Sequence, residues 1–359
     1  MIEKDFYEHN GFKYEVEYKT YTEKDKIKVD HNIVYPKKLF KYYSISEYSI
    51  DSFINSYLYA SHPIELNDVL DCSPFLWYTE HPLDYKLYES LYQDSLSQKD
   101  LKELYDNDIK RDRCNTYIGT YWEILSNMYG IISMTGKESH PLMWPHYTKE
   151  KGFKIKFDLE KLQNSLKKGA ELDGSLMGLF PMNYSNELKP IDISPYLQML
   201  VPFFYSATIK DIEWQYEDEW RFIYSKPQMG VPNRKMGLTN NRVDYPGIPG
   251  NRKAKYDSNL VEEIMFGFDF FNGEDFFIKW NKAHTKFSIS PKKNKKEIIM
   301  LLDYICDNLS NKLFYSGVKY EFNDDKKLQL YRTKEKLKIK KISIQKYELE
   351  RTNVFEILN

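Results

Sequence analysis

The sequence predicts an α+β fold with a mixed, mainly antiparallel sheet, flanking helices and a β-rich C-terminal extension. Short runs alternate apolar and polar residues with the period of a strand, as at Phe153, Ile155 and Phe157. Elsewhere apolar residues recur at helical spacing, as from Ile298 to Leu309. The 359 residues, 42% hydrophobic and 29% charged, are sufficient for a real core.

We expect three parts: an N-terminal extension at residues 1–36, a main α+β domain at 37–311 and a basic, β-rich extension at 312–359. The C-terminal extension differs from the rest of the chain in its excess of positive charge. From Lys312 to Lys346 there are 11 Lys or Arg and 4 Asp or Glu, an excess of 11 − 4 = 7. A basic face could meet nucleic acid, but lysines protecting a solvated edge strand explain it better.

Charge and cysteine content exclude several classes of protein. The net charge of −1 gives no overall attraction to nucleic acid or to an anionic membrane. The three cysteines, Cys72, Cys114 and Cys306, are too few and too far apart for a disulfide framework, and they fit a reducing compartment. The start has no apolar signal core, and the apolar region from Tyr196 to Ile209 is too short to span a bilayer. We therefore expect a cytoplasmic protein without a membrane partner.

The first half of the chain predicts two short strands, then helices. Tyr14, Val16 and Tyr18 alternate, and Leu39 to Tyr43 forms a second short strand. The elements expected next are a helix capped by Ser46, helices between Leu83 and Met128, and a strand from Ile131 to Thr135.

The second half adds strands and helices in alternation. The expected elements are a strand at Gly152–Phe157, a helix at Leu159–Lys168 capped by Asp158, a strand near Met182–Tyr184, a helix at Tyr196–Tyr205, a strand at Glu262–Phe268 and a helix at Lys295–Leu309. Residues 227–258 are expected to form a long loop, and loops of this length are usually mobile, functional or both. The tail predicts strands at Val318–Phe322, Leu328–Arg332 and Leu337–Ile344, with a β-bulge at Lys340–Lys341.

The stretch from Trp214 to Tyr224 carries the functional prediction. Its aromatic residues alternate with charged ones, so a strand would place aromatic rings on one face and charges on the other. Glu217, Glu219 and Arg221 would then stand about 7 Å apart at each step. Two carboxylates this close raise one pKa unless a cation compensates, an arrangement found at catalytic sites and also in ion-pair networks. Solvent exposure of the charged face is the alternative.

Four stretches resemble a bacterial family known as domain of unknown function 2971. They are Leu39-Phe40-Lys41-Tyr42; Ile64-Glu65-Leu66-Asn67-Asp68 with Asp71; Leu142-Met143-Trp144-Pro145-His146-Tyr147 with Lys151-Gly152-Phe153; and Trp214-Gln215-Tyr216-Glu217-Asp218-Glu219-Trp220-Arg221. With Ile264 to Phe268 they cover roughly residues 39–268. The family usually has an arginine where this chain has Tyr43, and a proline where it has Val69. The resemblance itself implies no chemistry.

Glu217-Asp218-Glu219 before an apolar strand also resembles the Glu-x-Glu motif of the ADP-ribosyltransferase superfamily. This resemblance implies that NAD is the substrate, that Glu219 is the essential catalytic residue and that Glu217 orients the acceptor. We add Arg221 to this catalytic group. The remaining implied contacts are His146 and Tyr147, or Ser133 with Thr135, to nicotinamide and ribose, and Lys41 or Tyr42 to the phosphates. The acceptor would be a nucleic acid or a protein, and no metal is expected.

Two other functions remain open at this point. Asp68, Asp71, His146, Glu217 and Glu219 could converge on a divalent ion in a metal-dependent nuclease or hydrolase. Alternatively, His146, Asp71 and Arg221 form a structural polar network in a non-enzymatic binding protein. If the protein is an enzyme, a toxin or phage-defence effector is a further hypothesis. The sequence gives neither the acceptor nor the oligomeric state.

Overall fold

The structure is a computed structural model that describes residues 2–19, 26–90, 96–113, 115–230, 247–248, 250–322, 324 and 326–358. The helices in this part of the chain are α1 (Glu47–Ile54), α2 (Tyr85–Ser90), α3 (Gln98–Lys110), α4 (Thr116–Met128), α5 (Met143–Thr148), α6 (Leu159–Asp173), α7 (Leu200–Thr208) and α8 (Lys296–Asn308). The strands up to the middle of the chain are β1 (Ile2–His9), β2 (Phe12–Lys19), β3 (Lys26–Asp30), β4 (Lys38–Tyr43), β5 (Tyr57–Tyr59), β6 (Trp77–Tyr78), β7 (Tyr129–Thr135) and β8 (Phe153–Asp158).

The remaining strands are β9 (Leu176–Pro181), β10 (Asn183–Ser185), β11 (Ile191–Asp192), β12 (Ile209–Asp211), β13 (Glu219–Ser225), β14 (Lys253–Lys255), β15 (Val261–Phe266), β16 (Phe276–Trp280), β17 (Lys286–Pro291), β18 (Leu313–Phe322), β19 (Leu328–Ser343) and β20 (Lys346–Leu358). Eleven of the described strands form one sheet in the order β16-β17-β20-β19-β18-β15-β8-β4-β7-β13-β9. Neighbours in this sheet are antiparallel except β15 and β18, which are parallel. The predicted α+β class with a mixed, mainly antiparallel sheet is confirmed.

Helices cover both faces of the central strands, and each face has its own apolar core. One core joins α1, α6 and α8 to the side of β8 that carries Phe153, Ile155 and Phe157. The other joins α7 to the N-terminal sheet β1-β2-β3, where Tyr14 and Val16 are buried. The N-terminal strands therefore contribute to a core.

The sheet has a seam between β4 and β7. β4 pairs with β8 over six residues, from Lys38↔Asp158 to Tyr43↔Phe153. β7 pairs with β13 over seven residues, from Glu219↔Thr135 to Ser225↔Tyr129. Between β4 and β7, in contrast, the one register pair is Phe40↔Thr135. Two well-paired halves of the sheet therefore meet at a seam with a single register pair.

The C-terminal segment is an extension of the main sheet. β18 pairs with β15 from Ile264↔Leu313 to Phe266↔Tyr315, and β19 and β20 follow it in antiparallel order. The first predicted tail strand lies within β18, whereas the other two form one continuous strand, β19, which ends at Ser343. The register shifts between Lys341 and Ser343, next to the predicted bulge. β20 was not predicted.

Several other predictions concern loops, cysteines and the membrane. Helix α5 lies between the predicted strands at Ile131–Thr135 and Gly152–Phe157 and was not predicted. Cys72 and Cys306 are free thiols, whereas Cys114 lies outside the described residues, as do residues 231–246 and 249 of the predicted long loop. Within the described ranges, no helix combines the length and the apolar character needed to cross a membrane.

Candidate functional site

The predicted strand from Trp214 to Tyr224 is wrong in its first half. Residues Ile212–Glu217 form a 3-10 helix, and the strand begins at Glu219. Asp211 caps this helix, because its carboxylate accepts a hydrogen bond from the Glu213 amide at 2.9 Å. Asp218 ends it in the left-handed conformation at φ 44°, which aspartate tolerates better than most residues. Capping at both ends overrides the strand preference of the aromatic residues.

The turn nevertheless brings the two predicted glutamates together. Glu217 ends the 3-10 helix and Glu219 opens β13, and both are buried. The Lys210 ammonium lies between them, 2.7 Å from Glu217 Oε2 and 3.2 Å from Glu219 Oε2. The charged face of β13 thus faces the protein interior, and a buried cation separates the two carboxylates.

Arg221 anchors this cluster. Its guanidinium donates to both oxygens of Asp71, with the NH1 contact at 2.7 Å and the NH2 contact at 2.5 Å. It also donates to both oxygens of Glu219, at 2.7 and 3.1 Å, and to the Ala207 carbonyl at 2.9 Å. These bonds occupy all five N–H donors of an arginine. Arg221 therefore holds Glu219 and has no donor left for a ligand.

Sequence reasoning missed Lys210 and Tyr184. They are register partners on β12 and β10, and the Tyr184 hydroxyl accepts a hydrogen bond from the Glu219 amide at 2.8 Å. Lys210 is buried, and its ammonium lies 4.6 Å from the centre of the Trp214 ring. A lysine that directly follows the apolar run of α7 was the available signal, because an isolated charge at the end of a buried segment needs a partner.

A pocket of about 90 Å³, open on one side, lies at the seam between β4 and β7. The lining residues come from four elements and the 3-10 helix: Phe40, Lys41 and Tyr42 of β4; Ser133, Met134 and Thr135 of β7; Met143 and Tyr147 of α5; Glu217; and Glu219 of β13. Lys41 Nζ donates to the Ser133 carbonyl at 2.9 Å, and the Tyr147 hydroxyl donates to Glu217. The structure therefore assembles seven of the nine predicted site residues, all but Arg221 and His146, around one cavity.

The other two predicted residues lie elsewhere. Arg221 stands behind Glu219, as described above. His146 is exposed and bonds to the Tyr216 hydroxyl at 2.8 Å, and it is not among the described residues that line the pocket. On α5, Met143 and Tyr147 are one helical turn apart and share the pocket side. His146 faces the surface, and its predicted contact with nicotinamide has no support in this geometry.

The environment separates the pKa values of the two glutamates. Burial by itself would raise the pKa of Glu219, but the charges of Arg221 and Lys210 outweigh it and hold this pKa well below its usual value. Burial, and then the charge of Glu219, raise the pKa of Glu217 although Lys210 opposes them. Paired carboxylates with divergent pKa values can serve as one permanent anion and one proton acceptor.

Two further pocket groups have altered pKa values. Burial lowers the pKa of Lys41 to about 8, with the charge of Glu219 acting against it. Burial and the charge of Glu217 raise the pKa of the Tyr147 hydroxyl, which keeps it protonated as a donor to Glu217. The pocket is therefore lined both by a lysine whose pKa is lowered and by a carboxylate, Glu219, whose pKa is held below its usual value.

The proposed metal ligands do not form a metal site here. Asp71, Glu217 and Glu219 do converge, but onto Lys210 and Arg221, so a divalent ion would have to displace an ammonium group. Asp68 instead accepts a hydrogen bond from the Leu70 amide at 3.0 Å. Across the described ranges, no three His, Cys, Asp or Glu side chains are grouped as a metal would require. The ion pair of the structural-network hypothesis, Asp71 with Arg221, is present, without His146.

Part of the chain matches a known protein family. Residues 143–222 match the model of a family described as protein of unknown function (DUF2971). This range runs from α5 to the middle of β13, so it includes Tyr147, Lys210, Glu217, Glu219 and Arg221. The predicted resemblance is confirmed over this range, which excludes the stretches around Lys41 and Asp71. No curated protein and no solved structure matches the chain.

Proposed function

We propose that the pocket is the active site of an ADP-ribosyltransferase-like enzyme, which cleaves NAD and transfers ADP-ribose to an acceptor. One observation carries this proposal. The three parts of the resemblance lie 92 and 86 residues apart in the chain, at Lys41, Ser133 and Glu219, yet they line one cavity on three neighbouring strands. A pattern that arose by chance has no reason to converge in this way.

The electrostatics suit the reaction. When nicotinamide leaves with the electron pair of its bond to C1′ of the ribose, positive charge develops on the sugar. Glu219 is held ionised and buried at the pocket wall, where a fixed anion stabilises that charge more strongly than in water. The acceptor then forms its bond to C1′, and Glu217, whose pKa is raised, takes the proton that the acceptor loses.

The cationic side of the pocket suits the phosphates. Among the described residues Lys41 bonds to the Ser133 carbonyl, so an ammonium with three donors has capacity for a phosphate oxygen. The pocket is several times larger than the space needed by one water molecule. It would hold the nicotinamide end of NAD, and the rest of the dinucleotide would lie outside the open side.

The test is nicotinamide release from labelled NAD by the purified protein, with water or cell lysate as the source of acceptor, with and without a chelator. Release that persists with the chelator and falls roughly 100-fold or more in Glu219→Gln is expected. Asp71→Asn is the matched control. This substitution also removes a carboxylate that binds Arg221, but Asp71 is not among the described residues that line the pocket. Both variants are assayed below their melting temperatures.

Several outcomes would overturn the proposal. The proposal is wrong if the wild-type protein releases no nicotinamide. It is also wrong if Glu219→Gln and Asp71→Asn lose the same fraction of the nicotinamide-releasing activity. Chelator-sensitive cleavage of nucleic acid would favour the metal-dependent hydrolase instead.

We further propose that the enzyme acts as a toxin or phage-defence effector. Expression of the wild-type protein should then slow growth or reduce phage plating relative to Glu219→Gln, and identical cultures would refute this role.

A further inference from the structure

The hairpin of β18 and β19 extends beyond its neighbours in the sheet. β15 pairs with β18 only as far as Tyr315, and the last pair between β19 and β20 is Arg332↔Leu358. The pairs Tyr320↔Leu330 and Phe322↔Leu328 lie past both ends. We call residues 318–322 and 328–332 the ribbon. A two-stranded ribbon without further support is marginally stable in water.

The two faces of the ribbon differ sharply. One face carries five large apolar side chains with exposed fractions of 44% to 69%: Val318, Tyr320, Phe322, Leu328 and Leu330. The opposite face is mostly polar, with Lys319 and Glu321 forming an ion pair at 2.5 Å next to Gln329. An amphipathic ribbon with both faces in solvent lacks the partner that its apolar face requires.

The exposed area is large enough to matter. Five side chains of this size at about half to two-thirds exposure present roughly 500 Å², taking about 150–250 Å² for each aromatic residue. Contiguous apolar patches of that size on a monomer are often functional. Two such faces together would bury roughly 1,000 Å², which is the lower limit for a specific protein interface.

Charge on this face selects the partner. Within the ribbon, Arg332 is the charged residue on the apolar face, and its guanidinium is already bound to Glu150. A nucleic acid would therefore find no free cation there, and a charged protein segment would find no complementary group. A second apolar face of the same kind is complementary to it, with Tyr320↔Leu330 at the centre of the patch.

We propose that the apolar face of the ribbon is the interface of a homodimer, in which two ribbons pack face to face about a twofold axis. A twofold interface uses the same patch on both subunits, and this patch is self-complementary because its five exposed side chains are apolar and Arg332 at its edge is already paired with Glu150. The proposal does not depend on the proposed enzymatic activity.

Sedimentation velocity on the full chain over a range of concentrations tests the dimer. Leu330→Glu and Gln329→Glu are a matched pair, because neighbouring residues on opposite faces each gain one negative charge. The wild-type protein and Gln329→Glu should sediment with twice the 43.1 kDa mass of the chain at micromolar concentration. Leu330→Glu should sediment as a monomer, with a Kd at least 100-fold higher.

A second measurement keeps the test independent of folding. Tyr320→Cys, at the centre of the patch, should be cross-linked between subunits by a bis-maleimide that spans about 10 Å, the distance between packed sheets, whereas Gln329→Cys should not. Circular dichroism of each variant should match the wild-type protein. A wild-type monomer at all concentrations would overturn the proposal. A dimer that persists in Leu330→Glu, or one that both Glu variants dissociate to the same extent, would also overturn it. Equal cross-linking of the two Cys variants would do the same.

Discussion

The polar face of β13 and the apolar face of the ribbon reverse the usual arrangement of a sheet. On β13, Glu219 and Arg221 are 5% and 0% exposed. On the ribbon, Tyr320 and Leu330 are 65% and 64% exposed. Both segments alternate as strands should, so alternation identifies the two faces in each case. It does not tell which face meets solvent, because that depends on what other parts of the chain place against it.

The difference between these regions is one of partners. The charges on β13 are matched by groups from other elements: Lys210 of β12 bonds to Glu219, and Asp71 reaches Arg221 across 150 residues of sequence. Burying charges is costly unless such partners satisfy them. In the described part of the chain, no segment packs over the apolar face of the ribbon in the way that Asp71 and Lys210 pack against β13. The comparison therefore predicts large effects for changes on β13 and small ones for changes on an isolated ribbon.

The largest effect is expected for Arg221→Met. This change leaves the buried carboxylates of Asp71 and Glu219 without their main partner, and breaking a buried ion pair in this way costs about 3–5 kcal/mol. Urea unfolding of the variant and the wild-type protein measures the difference. A loss below about 1 kcal/mol would mean that water reaches these groups and that the cluster is not sealed.

An intermediate effect is expected when Lys41 loses its charge at high pH. The quantity affected is the KM for NAD, which shows whether the substrate reaches the buried polar groups. The ammonium is protonated below its pKa of about 8 and can bind a phosphate, and it loses this charge as the pH rises through that value. In the proposed NAD reaction, KM should therefore rise above pH 8, by at most about tenfold, or 1.4 kcal/mol, per pH unit.

Lys41→Arg is the control for that titration, since arginine stays charged throughout this range. Its KM should be nearly constant from pH 7 to 10, and kcat in the wild-type protein should change less than KM. A wild-type KM that does not depend on pH, or the same rise in Lys41→Arg, would show that Lys41 does not bind the substrate.

The smallest effect is expected for Leu330→Ser on the ribbon. At dilutions where sedimentation shows only monomer, this exposed side chain contributes little, so the free energy of unfolding should change by less than about 0.5 kcal/mol. Urea unfolding under those conditions provides the measurement. A loss approaching that of Arg221→Met would mean that the ribbon is covered within the monomer, and the contrast between the two regions would disappear.

Sequence reasoning succeeded where structure is decided locally. The alternation at Phe153, Ile155 and Phe157 identified β8, and Asp158 was recognised as the cap of α6, where its side chain accepts from the Lys161 amide. It failed at residues 214–218, where the Asp211 and Asp218 turns override the strand preference of Trp214 and Tyr216. Lys210 was missed because its partners are defined only once β10, β12 and β13 have assembled.

For the candidate site, residue types could be predicted more readily than accessibility. Glu217 and Glu219 were selected from spacing, and the pocket contains both. His146 was selected from its place in a motif, and it turned out to face the surface, because the next residue on α5, Tyr147, takes the inward position. A motif indicates which residues come close together, but one step along a helix decides which side chain enters the cavity.

The seam between β4 and β7 has a consequence for any molecule that enters the cavity. With one register pair at Phe40↔Thr135, backbone bonds do not fix how far apart the two walls stand. Side chains that span the gap do so instead, among them Lys41 through its bond to the Ser133 carbonyl. An anion bound through the remaining donors of the ammonium would then be held in a fixed position relative to both walls.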